Sequence, residues 1–176
     1  VNAPEDLKGM KIRVMPSPQL VEQYKSWGAN PIPIEYAELY NALQQNIVDG
    51  QENPLQTIAM AKLYEVQDYL TISDHGFLGY LFIVNRRWFE KQGEDVRKLI
   101  VECERGAREA ERLAQAEGEA RFLGQIKQSK IAVGELTDEN RAKFIEVSKP
   151  LHDKFVEGSA TKAELLKAVY EAKEVR

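Results

Sequence analysis

Cysteine is almost missing from this sequence: Cys103 is the only one in 176 residues, so no disulfide can close within the chain. That neither requires nor excludes an oxidising compartment. Histidine is nearly as scarce. His75 and His152 stand alone, without cysteine or carboxylate at ligand spacing, which argues against a zinc centre. No apolar run approaches the roughly 20 residues that span a bilayer, and no glycine-rich phosphate loop occurs. A basic excess is absent as well. The formal net charge is −4, with Lys and Arg interleaved among Glu and Asp, so the chain offers no broad positive field for nucleic acid or an anionic membrane. The start, Val1-Asn2-Ala3-Pro4-Glu5-Asp6, lacks the basic and apolar segments of a secretory signal, as expected of a mature or trimmed chain. Internal repeats and low-complexity stretches are not found.

What remains is ordinary globular material, 43% hydrophobic and 30% charged, with length for one domain or a domain and a half. Residues 11–14 (Lys-Ile-Arg-Val) predict a strand after the turn-like Leu7-Lys8-Gly9. Residues 18–27 predict a helix with Pro18 in its first turn and Gly28 at its end. Ile32 and Ile34 alternate in a second strand closed by Tyr36, and Pro31 and Pro33 point to an edge or a strand end. Leu39, Leu43 and Ile47 predict a helix over 37–48, stopped by Asp49-Gly50. This βαβα order points to an α/β layer with parallel strands.

Further on, 55–63 predicts a helix and 66–84 two strands around Gly76–Gly79. A long helix follows over about 94–123, with Val96, Leu99, Ile100, Cys103, Ala107, Ala110 and Leu113 on one face. A strand over 131–136, a helix capped by Thr137 and a last helix with a Thr161/Glu164 capping box complete the chain.

Three places carry chemistry. Arg13 lies inside an apolar strand, pointing away from the face shared by Ile12 and Val14. At the carboxyl ends of parallel strands a guanidinium can hold a carboxylate through two charge-assisted bonds; the alternative is a surface arginine. Asn53, held extended by Pro54, brings an amide to a helix start that favours anions; the alternative is a polar connector. Tyr36 is either a pocket wall or a core tyrosine. Ser17, just past the first strand, completes the candidate ligand-binding set. Catalytic readings are weak. Ser73-Asp74-His75 names a triad, but neighbours along a strand point to opposite faces. Cys103, on the apolar stripe, is expected to be a buried, inert thiol. No catalytic residue, metal or cofactor is expected.

Taken in order, Asp6-Leu7-Lys8-Gly9-Met10-Lys11-Ile12-Arg13-Val14, Trp27-Gly28-Ala29-Asn30-Pro31, Glu38-Leu39-Tyr40-Asn41-Ala42-Leu43-Gln44, Val48-Asp49-Gly50-Gln51-Glu52-Asn53-Pro54, Tyr64-Glu65-Val66-Gln67-Asp68-Tyr69-Leu70 and His75 form a pattern. It resembles the DctP-type solute receptors of tripartite ATP-independent periplasmic (TRAP) transporters. The resemblance runs through about residue 90. It implies a periplasmic-binding-protein-like, two-lobed α/β fold that closes on its ligand by a hinge. Arg13 and Asn53 would then contact the ligand carboxylate, and Tyr36 would line the pocket.

On that reading 1–70 form the second-lobe core and 71–125 the returning first-lobe strands with a long spanning helix. Residues 126–176 pack back on the second lobe. Roughly a hundred residues or more precede the Asp6-to-Val14 motif in the family, so the opposite wall of the pocket is expected to be missing and the chain is expected to dimerise. The implied function is delivery of a small organic acid to the membrane subunits of a periplasmic transporter, not catalysis. A ligand-sensing domain of a signalling protein, or an α/β enzyme, are the alternatives.

Overall fold

The computed structural model describes residues 1–174. It opens on a turn in which Gly9 takes φ +79°, a left-handed value suited to glycine, and delivers the chain into β1 (Lys11–Val14). β1 is the central strand of a three-stranded parallel sheet, flanked by β2 (Asn30–Pro33) and β3 (Gly50–Gln51). Arg13 stands opposite Ile32 on one side and Gln51 on the other. The proline-bearing β2 is an edge strand, where missing ladder donors are tolerated. Asp49 fastens the far edge: its carboxylate and its backbone N–H both bond the backbone of Lys11, each at 2.8 Å. Gly50 permits this approach, since a Cβ there would sit 3.1 Å from Ile12 Cδ1.

α1 (Pro18–Ser26) crosses from β1 to β2 and ends in Gly28 at φ +87°. Gly28 N–H bonds Lys25 O and Ala29 N–H bonds Tyr24 O, the paired pattern of a Schellman end. α2 (Leu39–Gln44) is shorter than the helix expected over 37–48. Asn46, not Asp49-Gly50, stops it by adopting φ +55°, with the same pair of bonds to Leu43 O and Ala42 O. Periodicity carried the reading past an end that only the left-handed tolerance of asparagine fixes.

The chain divides into two compact units. The first holds Val1–Glu52, Val66–Ser73 and the chain from Val133 onward. Its core joins Ile12 and Val14 to Tyr24 and Trp27 of α1 and to Phe144 of α6 (Asp138–Val156). Trp27 meets Tyr24 and Phe144 edge-on, with ring centroids 4.9 and 5.1 Å away, and its indole N–H donates to Ser148 Oγ at 2.9 Å. A buried Trp is thereby satisfied at both its apolar and its polar ends. β4 (Tyr69–Ile72) pairs with β5 (Ala132–Glu135), and the Arg141 guanidinium bonds Ser73 O. The final helix, α7 (Ala160–Glu174), is capped by Ser159, whose Oγ accepts from Lys162 N–H. The expected Thr161/Glu164 box therefore does not form, because the helix begins before Thr161.

The second unit holds Asn53–Glu65 and Asp74–Ala132. Here α3 (Leu55–Met60) packs on the last turns of α5 (Glu94–Lys127), where Ile58, Leu63, Phe122 and Ile126 are buried. α4 (Arg86–Glu90) precedes α5. Two expectations fail in this unit. The second strand of 66–84 does not form: Phe77 to Val84 pair with no strand among the described residues, and Phe77 is 96% exposed and Leu81 87%. A strand exists only where a neighbour takes up its N–H and C=O groups. Cys103 is exposed, and Leu99 and Leu113 of its stripe are exposed with it, so the thiol is not a buried one. The stripe is real in sequence, but no described element covers that part of α5.

Candidate functional site

Arg13 reaches its place because β1 is the middle strand, shielded on both sides by backbone-paired neighbours. It is 2% exposed and the only charged residue among the buried ones described. The surface-arginine reading is thereby excluded. Its Nε–H donates to Ile34 O at 2.8 Å, in the turn that leaves β2. That bond fixes the plane of the guanidinium. Arginine carries five N–H donors in a rigid fork, so four remain on the two terminal nitrogens. Burial pushes the Arg13 pKa below its ordinary value, opposed by the negative charges of Glu52 and Glu35 and by Tyr36. A guanidinium cannot shed its proton at neutral pH. The positive charge is therefore held in a dry place, and an anion is the natural complement.

Glu52 follows directly on β3 and brings a carboxylate into the same neighbourhood. Burial raises its pKa above the usual carboxylate value, and the attraction of Arg13 only partly offsets this. Tyr24, facing Glu52 from α1, is pushed upward too, first by burial and then by the Glu52 charge. Gln51, one residue earlier, donates from Nε2 to Gln67 Oε1 at 3.1 Å and ties β3 to the chain before β4. Sequence reasoning quoted Glu52 only as part of a connector. Its signal was present: an acidic residue closing a strand whose neighbour carries an inward arginine.

The other candidates are placed unevenly. Tyr36 does not close β2. It opens a single 3₁₀ turn (Tyr36–Glu38) beyond it and is 54% exposed, which excludes the core-tyrosine reading. Ser17 caps α1: its Oγ accepts from Leu20 N–H at 3.4 Å and donates to Gln19 Oε1 at 3.3 Å. Arg13, Ser17, Tyr36 and Glu52 belong to the first unit, whereas Asn53 begins the second. Asn53 precedes Pro54, which takes φ −60° and ψ 152° as the residue before α3.

Ser73-Asp74-His75 is not a relay. β4 ends at Ile72, and Asp74 turns the chain at φ +45°. Burial lowers the His75 pKa, with Asp74 opposing. Among the described residues no group of three or more His, Cys, Asp or Glu is placed to hold a metal ion. None of the described helices is long and apolar enough to cross a membrane.

The sequence that folds in this way matches a family profile. The profile described as DctP, bacterial extracellular solute-binding protein, family 7, covers residues 1–159. The chain belongs to that family. A relative, the 2,3-diketo-L-gulonate-binding periplasmic protein YiaO of Escherichia coli, is 33% identical over 172 residues, spanning 97% of this chain and 52% of its own length. Among solved structures, the sugar acid binding protein DctPAm from Advenella mimigardefordensis, in complex with galactonate, superposes with a TM-score of 0.89 at 33% identity, covering 98% of this chain and 56% of that one. The periplasmic ectoine-binding protein from the TeaABC TRAP transporter of Halomonas elongata gives 0.87 at 32% identity, covering 98% and 57%. The chain thus shares the fold of TRAP solute-binding proteins and spans about half the length of the relatives it matches. The DctP family is one of extracellular solute-binding proteins.

Proposed function

We propose that this chain is the carboxylate-gripping part of a periplasmic receptor that hands a small organic acid to the membrane subunits of a TRAP transporter. The observation that carries the reading is Arg13, a permanent positive charge buried on the central strand with its plane set by Ile34 O. Its two terminal nitrogens suit a bidentate carboxylate. Tyr36 supplies an exposed aromatic face beside it, and Asn53, the residue after Glu52, is proposed as a further carboxylate contact. The hinge, the spanning role of α5 and the opposite wall of the pocket belong to this proposal as well. The relatives are about twice as long, so a carboxylate gripped by this chain alone keeps part of its hydration and is expected to bind with a Kd of about 1 mM, or about −4 kcal/mol. The 176-residue chain therefore binds weakly, and its exposed Phe77–Val84 run favours pairing with a second chain.

Thermal unfolding against a panel of organic acids tests the reading. A ligand at about a hundred times its Kd stabilises by about 2.7 kcal/mol. Sugar acids such as galactonate are expected to raise the Tm at millimolar concentration, while the matching neutral sugars leave it unchanged. Equal shifts from acids and neutral sugars, or none from any acid, would overturn it.

A further inference from the structure

We propose that a groove along the first turns of α5 is a docking site for an acidic, partly apolar segment of a partner protein, gripped by Arg97 and Arg105. The site is separate from Arg13 and stands whether or not an organic acid binds there. The groove measures about 520 Å³ and lies wholly within the second unit. Phe89 of α4 and Val101 of α5 supply its apolar lining. Arg97 and Arg105 lie one turn to either side of Val101, on the same face of the helix. Their Cα positions are about 12 Å apart along the axis, a length that suits a short stretch of peptide.

Charge pairing on this part of α5 is selective. Lys98 is paired with Glu94 at 2.8 Å and Arg108 with Glu104 at 3.0 Å. Among the described residues Arg97 and Arg105 have no ion pair, and Arg97 Nε is buried without a hydrogen-bond partner. A buried N–H left unmet is costly, so an arriving acceptor is favoured there. Glu102 is the lining carboxylate without an ion pair, and the two free guanidinium groups outnumber it. Charge complementarity therefore selects an acidic occupant. A small anion would stay hydrated on so open a surface. A peptide that lays an apolar side chain against Phe89 and Val101 excludes water from the pairs its carboxylates form with the arginines. The groove also stays open when the exposed stripe of α5 is covered. At about 100° per residue, Val96, Leu99 and Cys103 project from the opposite side of the helix.

A blocked pentapeptide of four glutamates around a central leucine is a suitable probe. Titrated by NMR into the whole chain at low salt, it is expected to shift the backbone amides of Phe89, Arg97 and Val101. The Arg97 Nε–H proton is expected to move downfield as it gains an acceptor. Arg97→Gln keeps a polar side chain without the charge and is expected to weaken the peptide roughly tenfold, the loss of one charge-assisted hydrogen bond. Lys167→Gln removes the same charge on α7, away from the groove, and is expected to change the affinity by less than about twofold, since a distant exposed charge is screened. Equal weakening in both variants would assign the binding to net charge and overturn the proposal. Inorganic phosphate at the same ionic strength separates the two sources of negative charge. If it reproduces the peptide's shifts, the groove is a small-anion site and the docking role is wrong. Shifts confined to β1, or none on α4 and α5, overturn it as well.

Discussion

The sheet around β1 and the stretch from Phe77 to Leu113 are built from similar apolar residues, yet they meet opposite fates. In the first, Ile12, Val14 and Trp27 are buried within one unit by α1 beside them and by α6 from the far end of the chain. In the second, Phe77, Tyr80, Leu81, Ile83, Leu99 and Leu113 face solvent. A hydrophobic pattern specifies which face wants cover, but it does not specify what supplies the cover. Exposed apolar surface on this scale marks an interaction surface or an aggregation hazard.

The sharpest way to break the comparison is to cut one residue from each region. Trp27→Ala removes a buried aromatic and the Ser148 hydrogen bond and is expected to cost about 3–5 kcal/mol in chemical denaturation. Leu81→Ser is expected to stay within about 0.5 kcal/mol of the parent. Similar losses at both sites would mean that the Phe77–Val84 run is packed after all.

Association is the next test. Light scattering on the 176-residue chain is expected to show dimers or larger species, and replacing Phe77, Tyr80 and Phe82 together with serine is expected to shift it toward monomer. A monomeric parent would show that the exposed run needs no cover.

A smaller effect belongs to the end of α2. Asn46→Val places a β-branched residue at φ +55° and is expected to cost about 1–2 kcal/mol, whereas Asn46→Gly is expected to be close to neutral. Equal unfolding midpoints for the two variants would contradict a left-handed stop.

Smallest is a pH effect from the second region. Burial depresses the His75 pKa below its usual 6.5, so the unfolded chain binds the proton more readily than the folded one. The sign follows: stability rises with pH through the window between the depressed value and 6.5, and the contribution is complete above it. His75→Asn is expected to flatten that part of the stability profile, measured between about pH 5 and about pH 7. An unchanged slope would assign the titration elsewhere.

The βαβ start, the Gly28 stop, the long α5 and the side of β1 on which Arg13 points were legible because local pattern determines them, whereas the burial of that side was not. Alternation set the side of β1 on which Arg13 points, and a glycine marked the turn that returns the chain to β2. Four other things were not legible. The stop at Asn46 depends on a tolerance that asparagine shares with many helix-interior uses. The unpaired Phe77–Val84 run and the exposed Cys103 depend on partners, and strand propensity says nothing about whether a ladder is available. Glu52 was overlooked because the strand pairing that sets it near Arg13 joins residues far apart in sequence.

The most direct test of Arg13 as the carboxylate clamp is a conservative exchange. Lysine keeps the charge at position 13 but loses the planar fork, the Nε–H bond to Ile34 O and the bidentate match. The organic acid that raises the Tm most, titrated by NMR into the wild type and into Arg13→Lys at one pH and with folding checked by the dispersion of the same spectra, is expected to show saturable binding only in the wild type. A folded Arg13→Lys chain that binds that acid with wild-type affinity would contradict the assignment.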